Sequence, residues 1–183
     1  QLSILNQNRN YSPTIATNGT DYMVAWTTKP QASSGTKIYA RGVSGNGAPA
    51  GTVEKFVGGT GNYSASSPSV AYSGSSGQYV VVWEDNRNKG YDIYGARVDV
   101  KGAVLDKAGV PLSTAANTQY KPQVSHDGGE TLVAWLDARL GNSALAIYGT
   151  RVSAAGAALD KGGLQLVTPG LVWATYSLAS GGG

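Results

Sequence analysis

The stretch WEDNRNKGYD, from Trp83 to Asp92, packs acids, amides and bases into one short segment. Acids invite a search for a carboxylate pair, because two of them about 5 to 10 Å apart can flank and cleave a glycosidic bond. Nothing in the sequence singles out two for that task. Asp85, Asn86, Asn88 and Asp92 also offer hard oxygen ligands for Ca²⁺, although the order departs from the D-x-[DN]-x-[DN]-G loop. Ca²⁺ is thus the one cofactor this cluster could hold, and no other is expected.

A second copy of the pattern changes its meaning. Asp137 and Arg139 repeat Asp85 and Arg87 at a distance of 52 positions, and an active site does not need its charged pair once per repeat. The expectation is structural: the Asp caps the turn after a strand by accepting backbone N–H bonds, and the Arg lies over the neighbouring Trp or pairs with the acid. Glu84 and Glu130 stand alone and are expected to be solvated. His126, in VSHDGGE, lies between Ser125 and Asp127. Adjacent strand residues point to opposite faces, so no triad forms and a surface position is expected. No catalytic or metal residue is assigned, and the ligand-binding residues stay unknown.

The elements that carry these residues follow from self-comparison. The central apolar residue of SPTIA, SPSVA, KPQVS and YSLAS falls at Ile15, Val70, Val124 and Leu178, with spacings of 55, 54 and 54. Trp26, Trp83 and Trp135 recur close to this period, at 57 and 52, and Tyr39, Tyr94 and Tyr148, then Gly47, Gly102 and Gly156, recur at 55 and 54. Leu2, Val57, Leu112 and Leu166 mark a last strand. Each unit reads as four short strands with period-2 alternation, joined by turns rich in Gly, Asn, Asp and Ser. A four-stranded repeat of this length predicts a β-propeller blade. The glycines at 58, 59 and 61 follow no strand-to-helix pattern and read as a connection between blades, not a phosphate cradle.

The expected fold is therefore all-β: a partial or excerpted β-propeller with blades at residues 12–58, 67–114 and 121–168. Residues 1–6 read as the last strand of a preceding blade, and residues 172–183 as the first strand of a following one. The partners this implies are other blades of a longer chain, or another copy of the same chain.

Composition narrows the remaining classes. The chain has 183 residues, 14% of them charged, and a net charge of +3 from 14 basic and 11 acidic residues with no run of like charge. Without a basic stripe, the four Trp and 11 Tyr lack the phosphate attraction that nucleic-acid binding requires. Cysteine is absent, which excludes disulfides and thiolate chemistry, and a lone His excludes a multi-His metal site. The longest apolar runs, such as Tyr79 to Trp83, are too short to span a membrane. The start at Gln1 suggests a removed signal or an internal piece. Asn10, Asn18 and Asn62 open N-glycosylation sequons.

The segment VWEDNRNKGYDIYGARVDVKGAVLDKAGVPLS resembles repeats of large secreted and surface proteins of bacteria and archaea, with a W-x-D-x-R…D-I-Y-x-x-R core, and is similar to TolB-like propellers. Unit two carries the frame in full through Trp83, Asp85, Arg87, Asp92, Ile93, Tyr94 and Arg97. Unit three keeps Trp135, Asp137, Arg139, Ile147, Tyr148 and Arg151, with Ala146 in place of the acid. Unit one keeps Trp26, Ile38 and Tyr39 but has Thr28 and Pro30 in place of Asp and Arg, and Arg41 comes one position early. The resemblance implies a propeller in an extracellular, cell-surface or periplasmic setting. On this reading the chain is a non-enzymatic scaffold or adhesive module, with surface glycans or envelope proteins as partners. The alternatives are a carbohydrate-binding propeller and, lower, part of a secreted glycan-processing enzyme.

Overall fold

The computed structural model describes residues 8–50, 55–141 and 144–170, and no helix occurs among them. The first sheet contains β1 (Arg9–Thr17), β2 (Tyr22–Lys29), β3 (Lys37–Val43) and β4 (Lys55–Gly58). The second contains β5 (Ala65–Ser73), β6 (Gln78–Asp85), β7 (Asp92–Asp99) and β8 (Val110–Ser113). The third contains β9 (Gln119–His126), β10 (Thr131–Asp137), β11 (Leu145–Val152) and β12 (Leu164–Gly170). Each sheet is an antiparallel meander whose spatial order follows chain order. The chain is thus a partial β-propeller of three four-stranded blades. The flanking strands expected at residues 1–6 and 172–183, with Leu2 and Leu178, lie outside the described residues.

The blades pack side by side through their first strands, with β5 against both β1 and β9. Alternation along the second strand decides what meets in each gap. Met23 and Ala25 of β2 face blade two, where they join Val57, Tyr79, Val81 and Trp83 in one core. Val80 and Val82 face the other way and join Val133, Trp135 and Tyr148 of blade three. Blades two and three therefore turn a Trp face toward the blade before them, and blades one and two an aliphatic face toward the blade after them.

Two glycine positions are demanded by this packing. Gly47, Gly102 and Gly156 have φ of 85°, 84° and 84° and close the turn after the third strand in every blade. Gly58 and Gly109 lie against the two sides of the buried Trp83 indole, where an added Cβ would come within 2.4 and 2.6 Å of ring carbons. A side chain at either would displace the ring.

The first strands share a further irregularity. β1, β5 and β9 begin two or three residues before the expected blade starts, because pairing runs on through a bulge in each strand. The bulged residues Ser12, Ser67 and Lys121 have φ of 53°, 52° and 52°, and each precedes a proline. A non-Gly residue with positive φ is uncommon, and three in equivalent places make the bulge part of the blade design.

The meanders define two ends. At the loop end lie the starts of β1, β5 and β9 and the loops β2–β3, β6–β7 and β10–β11. At the hairpin end lie the β1–β2 turn and its equivalents, together with the Gly47-type turns.

Candidate functional site

The repeated acid–base pairs sit at the loop end and are held from all sides. Asp85 is fully buried and accepts hydrogen bonds from Trp83 Nε1 (3.1 Å), from the Arg87 backbone N–H (3.1 Å), and from Arg87 Nε and Nη2 (2.9 and 2.6 Å). Arg87 Nη1 donates to the Ala108 carbonyl at 2.8 Å, and the guanidinium lies 4.0 Å from the Tyr94 ring centre. Asp137, Arg139, Trp135, Gly162 and Tyr148 reproduce this arrangement in blade three, with the Arg 3.8 Å from the ring. The aromatic under each Arg is the third-strand Tyr, not the Trp, because the Trp edge is engaged by the Asp. Burial pushes Asp85 up, but the hydrogen bonds from Arg87 and Trp83 outweigh it and hold the carboxyl below its ordinary range. With every oxygen engaged, these acids have no lone pair to offer a substrate.

Blade one lacks this knot. Trp26 is half-buried and stacks on Tyr39, with ring centres 6.4 Å apart, and Tyr39 meets Phe56 edge-on at 5.9 Å. Thr28 donates to Asn10 at 2.8 Å in place of the Asp network. Arg41 pairs in register with Val24, two residues before Trp26, whereas Arg97 and Arg151 pair with residues three before their Trp. Arg41 therefore belongs to the other face of its strand.

The oxygen-rich loop does not converge on a cation. Asp85 is committed to Arg87, Asn86 Oδ1 accepts from the Ser64 N–H at 2.7 Å, and the Asn88 amide donates to Asp92 at 2.8 Å and to the Tyr94 hydroxyl at 3.0 Å. Burial raises the buried Asp92 carboxyl above its usual value. Among the described residues, no group of three or more His, Asp or Glu side chains is placed to hold a metal ion.

Sequence reasoning missed a second set of pairs, at the hairpin end. Arg97 embraces Asp106 through its backbone N–H, Nε and Nη2 (2.9, 2.8 and 2.9 Å), and Arg151 embraces Asp160 likewise. Arg97 Nη1 also reaches the Ala154 carbonyl of blade three at 3.2 Å. The available signal was a recurring L-D-K, with the Asp nine positions after each Arg. His126 also departs from expectation. It is buried, because it lies on the same strand face as the core residue Val124, and its Nδ1 stands 3.0 Å from Thr131 Oγ1. It lines a cavity of about 330 Å³ between the first strands, together with Ile15, Val70 and Tyr72.

Glu84 is the acid that breaks the repeat. The position after the Trp holds Thr27, Glu84 and Leu136 in the three blades. Glu84 is half-buried, not freely solvated, because its strand face turns into the gap between blades two and three. There Oε1 accepts from Ser66 Oγ (2.8 Å) and Ser67 Oγ (3.0 Å), and Oε2 accepts from the Lys121 backbone N–H (2.8 Å). Two of these donors belong to the bulged residues, so the bulge supplies the cradle. Two tyrosines border it. The hydroxyls of Tyr91 and Tyr120 are pushed up, first by burial and then by the Glu84 charge, and Tyr91 also feels Tyr11, which is exposed. In the gap between blades one and two, Thr27 takes the equivalent place, and its buried hydroxyl has no partner among the described residues. One carboxylate in a frame of Ser donors and Tyr rings at the loop-end rim can accept hydrogen bonds from hydroxyls and move a proton.

No family model matches the chain, and no curated protein matches it. Its fold does match solved structures. The native arabinanase of Bacillus subtilis is 16% identical, with 87% of this chain covering 58% of that one at a TM-score of 0.54. The catalytic domain of the GH62 alpha-L-arabinofuranosidase of Coprinopsis cinerea is 10% identical, with coverage of 92% and 54% and a TM-score of 0.55. A family 117 glycoside hydrolase of the marine bacterium Zobellia galactanivorans is 12% identical, with coverage of 92% and 57% and a TM-score of 0.53. At such identities the likeness establishes the propeller fold. The chain spans little more than half the length of these structures, as three blades of a five-bladed propeller would.

These matches correct the expectation of a non-enzymatic scaffold or adhesive module. The solved structures named above, which share this fold, are glycoside hydrolases and not structural modules.

Proposed function

We propose that this chain is a section of a glycan-processing propeller and that Glu84 is its substrate-facing carboxylate. The observation that carries the reading is that Glu84, unlike Asp85 and Asp137, is not consumed by an Arg and does not recur. Its setting at the loop-end rim, flanked by Tyr91 and Tyr120, supplies aromatic faces for sugar rings and one acid for their hydroxyls or for the glycosidic oxygen. The Ser66, Ser67 and Lys121 donors fix the direction of the carboxylate.

Cleavage of a glycosidic bond uses two carboxyl groups. Among the described residues none stands opposite Glu84, so the second belongs, on this reading, to a blade beyond these three, from the same longer chain or a second copy. Action on arabinose-containing glycans is the first substrate class to test, because two of the matching structures are named for it. An extracellular or cell-surface setting fits a polymeric substrate.

The test is titration of the chain with arabinan and arabino-oligosaccharides, followed by tyrosine fluorescence and calorimetry, beside assays for released sugar. Glu84→Gln is expected to weaken binding by about tenfold, in line with loss of a charged hydrogen-bond acceptor, and Tyr120→Ala to weaken it less. Thermal unfolding of each variant separates lost binding from lost fold. Undiminished binding by a folded Glu84→Gln would remove Glu84 from the site.

A further inference from the structure

Charge is divided unequally between the two ends of the blades. At the loop end, Asp85–Arg87 and Asp137–Arg139 cancel at 2.6 and 2.7 Å. The remaining cations of that end are Arg9, Lys29, Lys37, Lys89 and Lys121, and its remaining acids are Glu84 and the buried Asp92. At the hairpin end, Arg97–Asp106 and Arg151–Asp160 cancel as well. Asp21, Asp99, Asp127 and Glu130 add acids at that end. Among the described residues the loop end therefore carries an excess of positive charge, five cations against two acids, on the rim that holds Glu84 and the tyrosines.

The cations are also crowded. The Lys37 ammonium is held below its usual value, by burial first, with the charges of Lys29 and Arg87 adding to it against the pull of Asp85. Lys29 and Lys37 are steadied by backbone carbonyls, Lys29 on Ser34 and Lys37 on Gly61 and Tyr63 (2.5 and 3.1 Å), so they are fixed near one another instead of dispersing into solvent. An arriving anion relieves that repulsion, and steering of this kind acts over about 8 to 10 Å at ordinary salt.

We infer that the loop end takes an acidic glycan, one bearing carboxylate or sulfate groups, with its rings on the tyrosines and its anionic groups over Arg9, Lys29 and Lys37. The inference rests on the glycan-processing reading and names its substrate class. Glu84 then meets the neutral face of the sugar, since a second carboxylate beside it would be repelled.

The experiment compares binding of the full chain to polygalacturonate, dextran sulfate, neutral arabinan, neutral dextran and single-stranded DNA across a range of NaCl. The expected result is that at least one acidic glycan binds more tightly than either neutral polymer and loses about tenfold or more in affinity over a tenfold rise in salt, as release of two or three counterions dictates. Polygalacturonate and dextran sulfate tell carboxylate from sulfate. Lys29→Gln with Lys37→Gln should reduce acidic binding severalfold. Arg9→Gln with Lys89→Gly serves as the second pair, the glycine suiting the φ of 72° at position 89, and covers the case in which the lysine pair impairs folding. Lys101→Gln, at the hairpin end, should change nothing. Equal binding of neutral and acidic glycans, equal loss from the hairpin-end variant, or DNA binding as tight as the glycan would each overturn the inference. Neutral binding that depends on Glu84 but not on the lysines would keep the site and reject the acidic substrate. Acidic binding that depends on the lysines but not on Glu84 would do the reverse.

Discussion

Blades one and two have the same strand order, the same bulge and the same Gly-closed turn, yet they secure their tryptophans by different means. Trp83 is sealed between Gly58 and Gly109, with its N–H on Asp85 and Asp85 on Arg87. Trp26 leans on Tyr39 with one side open, and Thr28 and Pro30 stand where the acid and base would be. The difference separates what makes a blade from what reinforces it. Backbone order survives without the charged knot, so the knot is a later layer of stability and not a condition of the fold.

The sharpest way to break that comparison is to remove each tryptophan. Trp83→Ala is expected to cost about 3 to 5 kcal/mol, as for other buried aromatics, and Trp26→Ala about half of that because its ring is already partly open. Chemical unfolding of the two variants measures both, and equal losses would erase the distinction. Next in size comes the knot. Asp85→Ala strands a buried guanidinium and an indole N–H and is expected to cost about 3 kcal/mol, whereas Thr28→Ala in blade one should cost about 1 kcal/mol or less.

The smallest effect is on pH dependence. Asp85 and Asp106 are held below the value they have in an unfolded chain, by Arg87 with Trp83 and by Arg97 respectively. Their contribution is complete above the ordinary carboxylate pKa of about 4 and is lost as pH falls through their lower folded values. Melting temperature should therefore hold steady through neutral pH and drop in acid, with a shallower acid limb for Asp85→Asn. An acid limb that Asp85→Asn leaves unaltered would place the titrating groups elsewhere.

The repeat was readable because its anchors are apolar residues and glycines whose roles do not depend on neighbours in space. Trp83, Tyr94 and Gly102 each do a local job that their spacing announces. Glu84 was opaque for the opposite reason. Its meaning comes from Ser66, Ser67 and the Lys121 N–H across a gap between blades, and no one-dimensional pattern tells which side chains share that gap. His126 was misjudged because the nearby D-G-G turn suggested the surface, while strand alternation with Val124 put it inside. The sidedness of charge was invisible for a similar reason: acids and bases follow one another along the chain without pattern, and the alternating direction of the strands decides which end each one reaches.

The bulge before each proline frees one position per blade from the bookkeeping of the sheet. A residue inside a regular strand cannot change without affecting either a core or a neighbour's pairing, but Ser12, Ser67 and Lys121 sit at steps where the ladder has already been broken. Their side chains can vary, and here do vary between hydroxyl and amine, while their backbones keep one shape. Such a position is a socket for diversification. A propeller can acquire a new specificity at its rim by exchanging three residues, without renegotiating the packing of any blade.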